Sequence, residues 1–375
     1  MHICLLVKDF AVGKKFSKDG MPTKSGAEFH AENHAKQLIL RGNSVTIMAK
    51  KRYFFTKARE CLEGIDLVRL HAPFRWLEII IRLLTTHRDI DAYYIIGRPS
   101  FAVWAILFAK LTGKPVTLSL TGKAELFHRE ESWRCRIFAK CDRYIALSKE
   151  IQKGYTEYGK IDAGKVSVLP QGLDMKKFAM PSPEEKAKMR EGHGLGAGDR
   201  VVVFCSRIVE DKGIETMIKA WPLVHEKHPD AKFFVVGGGK KELLRALNDM
   251  AARTDGSAVI VGEVDAPQEY YSLGDIYLFP SRHEGFPTSL IEAMSSGLVP
   301  VTSAIGGCED VIRNGETGYM VPVDDAPAFA ERLNYLLEHE EECDRMKWNG
   351  YRLMQEYCDY SQVIGKLEQL IGKGK

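Results

Sequence analysis

The feature that most constrains this chain is an alternation that runs its whole length. Short segments that are apolar on both faces are separated by longer amphipathic ones. A strand that is apolar on both faces is one covered on both sides, as in a parallel sheet layered with helices. The first series of such runs is His2–Lys8, Ser44–Ala49, Ala92–Ile96, Val116–Leu120, Tyr144–Leu147 and Val166–Leu169. The second is Val201–Cys205, Lys232–Val236, Ala258–Val261, Ile276–Phe279, Val299–Thr302 and Tyr319–Val321. Between them, segments such as Glu28–Arg41 and Gly213–His225 carry the helical period. Two series of β-α units predict an α/β protein with two Rossmann-like, doubly wound domains. The length of 375 residues agrees, at about 150 residues per domain.

The boundary is legible in composition. Met180-Pro181-Ser182-Pro183-Glu184-Glu185 and the glycine-rich stretch 192–199 predict a linker near 175–195. The expected domains are 1–178 and 179–357, with a helix at about 358–375 (Tyr360–Leu370 by pattern) packing back on the first. In open α/β sheets ligands bind beyond the carboxyl ends of the strands, so a central cleft faced by both domains is the expected site.

Net charge sharpens the division. The whole chain carries only +3, yet residues 1–178 hold 31 Lys/Arg against 18 Asp/Glu, and residues 179–375 hold 22 against 32. Near neutrality is thus a cancellation between a basic half and an acidic half. A basic half suits an anionic acceptor or an anionic membrane surface. No aromatic-basic interleaving points to nucleic acid. With 45% hydrophobic and 27% charged residues, disordered and fibrous classes are excluded. The eight cysteines form no C-x-x-C pair, and Cys4 and Cys205 lie in apolar runs as core thiols do. Free thiols, a first strand in place of a signal peptide and no apolar run near the ~18 residues of a spanning helix predict a cytoplasmic protein, with peripheral membrane contact allowed.

The segments after the second-series strands carry chemistry. Ser281-Arg282-His283-Glu284-Gly285-Phe286-Pro287-Thr288-Ser289-Leu290-Ile291-Glu292-Ala293-Met294 follows Ile276–Phe279. Pro287 suits a first helical turn, which would leave the N–H groups of Phe286, Thr288, Ser289 and Leu290 free for a diphosphate. Glu284 and Glu292 suit sugar or ribose hydroxyls. After Val201–Cys205, Arg207 and Lys212 stand five apart before Gly213, a spacing that suits a phosphate clamp. Each piece alone is equally an ordinary loop carboxylate or surface cation. Gly237-Gly238-Gly239 is no dinucleotide fingerprint, since Glu242 occupies the place of the third glycine; it marks a close backbone approach or a plain turn.

Together these residues resemble the donor domain of glycosyltransferase family 4, the retaining GT-B enzymes. Its Glu-x7-Glu run matches Glu284-Gly285-Phe286 through Glu292-Ala293-Met294, and its R-x4-K-G segment matches Arg207, Lys212 and Gly213. Gly297, Gly306, Gly307, Asn314, Gly315, Thr317 and Gly318 follow its closing pattern. In the first half, Ser25-Gly26-Ala27-Glu28, Arg41-Gly42-Asn43-Ser44-Val45, residues 141–148 and Pro170-Gln171-Gly172 resemble its acceptor domain. The resemblance implies a metal-independent hexosyl or N-acetylhexosaminyl transfer to a glycan, glycolipid or other anionic acceptor, as in bacterial surface polysaccharide or glycolipid synthesis. No cofactor is implied beyond a nucleotide-sugar co-substrate, a UDP-sugar first and GDP-mannose next. It implies that Arg207 and Lys212 neutralise the diphosphate and that Glu292 holds the ribose. Glu284 with Gly285 and Phe286 would hold the donor sugar, and Thr288, Ser289 and Leu290 would offer amides. Gly26 would approach the phosphates, and Val264 would contact the base.

Two departures stand out. The family's histidine at the end of the fourth strand is absent; Thr121, Lys123 and His128 are the nearby candidates. Pro287 replaces a frequent glycine. Other readings are a soluble small-molecule glycosyltransferase, a nucleotide-sugar epimerase of the same fold and a non-catalytic binding module. The loop from Phe10 to Ser25 is long and carries Lys14, Lys15, Lys18 and Lys24. The segment Pro73–Arg88 puts Arg75, Glu78 and Arg82 on one helical face and Trp76, Leu77, Ile80, Leu83 and Leu84 on the other. That pattern fits a core-facing helix first and an interfacial helix second.

Overall fold

The computed structural model of the chain describes residues 1–10, 26–51, 57–71, 74–85, 88–121, 133–196 and 198–372. They form two units, residues 1–171 with 360–375, and residues 172–359.

Unit 1 is an eight-stranded sheet of β1 (His2–Asp9), β2 (Ser44–Lys50), β3 (Arg59–Leu62), β4 (Ile65–Leu70), β5 (Ala92–Ile96), β6 (Val116–Leu120), β7 (Arg143–Ala146) and β8 (Val166–Val168). The order is β3-β4-β2-β1-β5-β6-β7-β8, parallel except for β3 against β4. Strands β5 and β6 are buried at every position, which is why they read as unbroken apolar runs. Helices α1 (Gly26–Leu40), α2 (Arg75–Thr85), α3 (Ala102–Thr112), α4 (Trp133–Phe138) and α5 (Lys149–Glu157) accompany the sheet.

Unit 2 begins with α6 (Pro183–Gly192) and holds a six-stranded sheet of β9 (Val201–Cys205), β10 (Lys232–Val236), β11 (Ala258–Gly262), β12 (Ile276–Phe279), β13 (Val299–Ser303) and β14 (Tyr319–Val321). Its order, β11-β10-β9-β12-β13-β14, is that of a doubly wound Rossmann domain. The helices are α7 (Ile214–Lys227), α8 (Lys241–Arg253), α9 (Pro267–Leu273), α10 (Thr288–Ser295), α11 (Gly306–Glu309), α12 (Ala326–Glu338) and α13 (Glu340–Tyr357). The chain then returns to unit 1 as α14 (Tyr360–Gly372), whose Val363, Ile364, Leu367 and Ile371 join the core under α1 and β1.

Three sequence expectations are corrected. The units divide at 171/172 and not at 178/179, because Leu173 and Phe178 pack into the core of unit 2. The linker near 175–195 is largely α6. Ser182 and Glu185 form a reciprocal capping box with Pro183 at its start, so the prolines and acids begin a helix. Arg190 of α6 is buried, donating to Leu273 O, Asp199 O and Asp275. Finally, α2 is not simply core-facing: Ile79 and Leu83 are buried, while Trp76, Leu77 and Leu84 stay exposed. Among the described residues no helix is long and apolar enough to cross a membrane.

Candidate active site

A doubly wound sheet opens a crevice where strand order reverses, because successive connections there leave on opposite faces. In unit 2 that place lies between β9 and β12, paired through Ile276–Val202 and Tyr277–Val203. The loops following these two strands are the ones that carry Arg207, Lys212 and Glu284.

Glycines let those loops touch. Gly213 adopts φ +68°, and a Cβ there would lie 1.9 Å from the Pro280 carbonyl oxygen. A Cβ on Gly237 (φ +142°) would lie 1.8 Å from Ser206 O, and one on Gly239 2.1 Å from Ile208 O. The triple glycine is thus a close approach between the β9 and β10 loops, and Ile208 N donates to Gly238 O at 2.8 Å. Below the Glu284 loop, Gly307 serves the same end: a Cβ would come within 3.2 Å of Glu284 O.

The result is a charged pair. Lys212, at the end of a 3-10 turn over Glu210–Lys212, donates to Glu284 Oε1, and both side chains are about 15% exposed. Ser281 Oγ donates to the same oxygen at 2.9 Å. Arg282 fixes the loop from behind. Its backbone N donates to Asp211 O at 2.8 Å, its Nε reaches Asp324 at 2.8 Å and its terminal nitrogen reaches Glu215 at 3.0 Å. Arg207 is exposed, and its guanidinium has no partner among the described residues. Of these two cations, Lys212 is already satisfied by a carboxylate and Arg207 is exposed to solvent.

Glu292 stands on α10, where Tyr271 OH donates to its Oε2 at 3.1 Å. Burial pushes its carboxyl up to about 7, against the opposing effects of the Tyr271 hydrogen bond and the Lys177 charge. Tyr277 OH donates to Cys205 O at 3.0 Å, and its ring lies 5.9 Å from that of Tyr271. Cys205 itself is only half-buried, at the edge of this cluster and not within the core. Sequence reasoning missed Tyr271 and Tyr277, since buried aromatics read as core packing, and Lys177, which carries no local motif. Val264 and Phe286 are half-buried against the same cluster.

The four amides are not all available. Pro287 precedes α10 at ψ 75° instead of sitting within its first turn. Thr288 N donates to Phe286 O at 3.0 Å and Leu290 N to Pro287 O at 3.1 Å. A diphosphate would have to open these turns to take both.

In unit 1, Gly26 opens α1. Thr121, exposed just after β6, lines a cavity of about 240 Å³ with Gly97, Arg98, Ser119, Leu120 and Tyr155. Arg98 and Tyr155 were not singled out by the sequence. Lys123, His128 and the lysines of the loop 11–25 lie outside the described residues. Among the described residues no three His, Cys, Asp or Glu converge as a metal site.

Known proteins bear on this arrangement. The family described as "Glycosyl transferases group 1" matches residues 185–353, and "Glycosyltransferase Family 4" matches residues 24–177. The capsular polysaccharide biosynthesis glycosyltransferase CapM of Staphylococcus aureus is 26% identical over 231 residues, 60% of each chain. A GDP-mannose-dependent phosphatidylinositol monomannoside mannosyltransferase of Mycolicibacterium smegmatis is 33% identical over 181 residues, 45% of this chain and 46% of that one. The chain thus matches only about half of the length of such relatives. Anabaena Alr3699/HepE, crystallised with UDP, superposes with a TM-score of 0.79 at 18% identity, covering 98% of this chain and 99% of that one. Its likeness is one of fold.

Proposed function

Because the chain belongs to the glycosyltransferases, family 4 in its first unit and group 1 in its second, we propose that it moves a hexosyl or N-acetylhexosaminyl group from a nucleotide diphosphate sugar to a glycan or lipid-linked acceptor, retaining configuration and using no metal. The observation that carries this reading is the Lys212–Glu284 pair, held at the reversal of the unit 2 sheet on loops that also carry Arg207, which has no partner among the described residues. As the bond from the sugar to the diphosphate breaks and one to the acceptor oxygen forms, the diphosphate gains charge and takes up the proton that the acceptor hydroxyl gives up. Arg207 and Lys212 stabilise it from fixed positions. Glu284, released from Lys212 as the lysine turns to phosphate, accepts from sugar hydroxyls. Glu292 holds the ribose, Val264 contacts the base, and Gly285, Phe286, Thr288, Ser289 and Leu290 supply backbone. Gly26 and Thr121 of unit 1 belong to phosphate approach and acceptor positioning.

UDP-sugars are favoured as donors by the UDP held in the HepE fold, and GDP-mannose is second through the mannosyltransferase relative. CapM supports a surface-polysaccharide pathway, and the phosphatidylinositol mannoside acceptor of the other relative supports a glycolipid one. The basic first half fits an anionic acceptor, and peripheral contact of a cytoplasmic enzyme with an anionic membrane. Thermal melting with UDP, GDP, ADP and their sugars tests the donor: the matching nucleotide raises Tm, and no response to any of them overturns the reading.

A further inference from the structure

Tyr271 is held in unit 2 so that its hydroxyl can point only one way. It is fully buried on α9, its ring 6.1 Å from that of Phe178 and 5.9 Å from that of Tyr277. Gly274, just after α9, lets the helix end sit down on the sheet: a Cβ there would lie 2.6 Å from Leu298 Cδ2 and 2.8 Å from Val203 Cγ2. A side chain so enclosed does not change rotamer without displacing its neighbours. The hydroxyl meets Glu292 Oε2 at 3.1 Å. A buried tyrosine needs an acceptor, and a backbone carbonyl serves, as Cys205 O does for Tyr277. Tyr271 has instead a carboxylate that is only half-buried. Glu292 Oε1 makes no hydrogen bond among the described residues and is not sealed from water. The carboxylate is thus clamped by one oxygen and open at the other.

A clamped carboxylate suits a ligand with hydroxyl donors. A glutamate free to turn must be immobilised by what it binds, whereas one already held has given up that freedom on folding. A neutral donor also favours the ionised carboxylate, the form that accepts from hydroxyls. Burial, with the Glu292 charge beside it, holds the Tyr271 hydroxyl well above its ordinary value, so it stays a donor throughout the neutral range. It has one proton, and that proton goes to Glu292, so Tyr271 acts on a ligand only through the carboxylate. The other titratable groups facing Glu292 are Lys177, whose charge acts in the same sense as the Tyr271 hydrogen bond, and Cys205 and Tyr277, both kept protonated by burial. Among the described residues only Tyr271 hydrogen-bonds the carboxylate.

We propose that Tyr271 is a positioning residue for the ribose site: by holding Oε2 of Glu292 it aims Oε1 at the ribose hydroxyls, and so makes the site select a ribonucleotide over one that lacks them. This rests on the donor-site reading above and adds to it a residue that does not itself touch the ligand.

The test is titration calorimetry of the full chain with UDP and 2′,3′-dideoxy-UDP, and with the corresponding GDP pair, at several pH values. It compares the wild type with Tyr271→Phe, Glu292→Gln and the double variant. Phenylalanine keeps the ring packed against Phe178 and Tyr277 and removes one oxygen, and the melting point of each free variant checks its fold. Tyr271→Phe should weaken the ribonucleotide about tenfold and leave the affinity of the dideoxy form unchanged. The pH at which ribonucleotide binding tightens should move upward, because the donor that favours the ionised carboxylate is gone. In the Glu292→Gln background, Tyr271→Phe should change the ribose preference no further. If the wild type binds the ribose and dideoxy forms alike, or binds neither nucleotide, the ribose reading of Glu292 falls and this proposal with it. If the wild type prefers the ribonucleotide and Tyr271→Phe prefers it equally, or the two single losses of preference add in the double variant, Tyr271 is core packing alone while the ribose reading stands.

Discussion

The two units reverse their sheets in the same way and fill the reversal with different chemistry. In unit 2, the loops after β9 and β12, pressed together through glycines, carry the Lys212–Glu284 pair and Arg207. In unit 1, where β1 meets β5, the buried polar side chains of α1 are two histidines and the carboxylate of Glu28. His30 and His34 lie with ring centroids 3.9 Å apart, and Tyr94 OH is 3.4 and 3.3 Å from their nitrogens. One topology thus carries an ion pair in one unit and a pair of buried histidines in the other. Burial holds both histidines well below the usual imidazole range, His30 at about 3.

The largest expected effect separates the two reversals by activity. Lys212→Ala, Glu284→Ala or Arg207→Ala should each lower kcat by about 10²–10³, the range for removing a preorganised charge from a transition-state site. Thr121→Ala in unit 1 should cost less than about tenfold, as loss of a single neutral contact does. Steady-state donor turnover checks both. Equal losses would erase the distinction between the units. Glu284→Ala and Lys212→Ala should also destabilise unit 2, since each leaves a mostly buried partner uncompensated.

Next come the glycines. Gly237→Ala places a methyl on the Ser206 carbonyl and should cost about 3 kcal/mol or more, seen as loss of the unit 2 melting transition. Gly42→Ala in unit 1, at φ +86° with nothing within 4 Å of its would-be Cβ, should cost only about 1 kcal/mol, the left-handed backbone penalty alone.

These two glycines also mark how far the sequence could be read. Both stand in turn-like stretches, and only the neighbouring loop distinguishes them. The strands were legible because burial on both faces leaves a local mark. Edge strand β3, Arg59–Leu62, went unread because its side chains are only partly buried or exposed and carry charge. The site's residue types were legible as motifs, but the Lys212–Glu284 contact spans 72 positions and follows from strand order, which no local pattern encodes. Tyr271 was illegible because a buried tyrosine in helix α9 reads as packing until Glu292 is seen beside it. His30 and His34 sit four apart on the inward face of α1, where a histidine breaks the apolar pattern without revealing a partner.

Acid should expose the histidine pair. Their folded values lie below the unfolded 6.5, so the unfolded chain binds more protons as pH falls from about 6.5 toward 3. Unit 1 should lose stability across that window, by up to about 1.4 kcal/mol per pH unit for each histidine. Replacing them by His30→Val and His34→Leu should flatten the curve, checked by denaturant unfolding at several pH values. An unchanged slope would mean that the pair is not sealed.

Glu292 should respond in the opposite sense and more weakly. Its folded value, about 7, lies above the ordinary 4.5, so its protonated form stabilises unit 2 below about 4.5 and that contribution fades as pH rises through 7. A nucleotide whose ribose donates hydroxyls favours the ionised carboxylate. Binding should therefore release a proton near pH 6.5 and tighten as pH rises toward 7, by no more than about tenfold per pH unit. Calorimetry in buffers of different ionisation enthalpy reads the proton directly. Glu292→Gln should abolish both the release and the pH dependence while leaving the Lys212–Glu284 pair of the free protein in place. Proton release that persists in this variant would place the titrating group elsewhere and take Glu292 out of the ribose site.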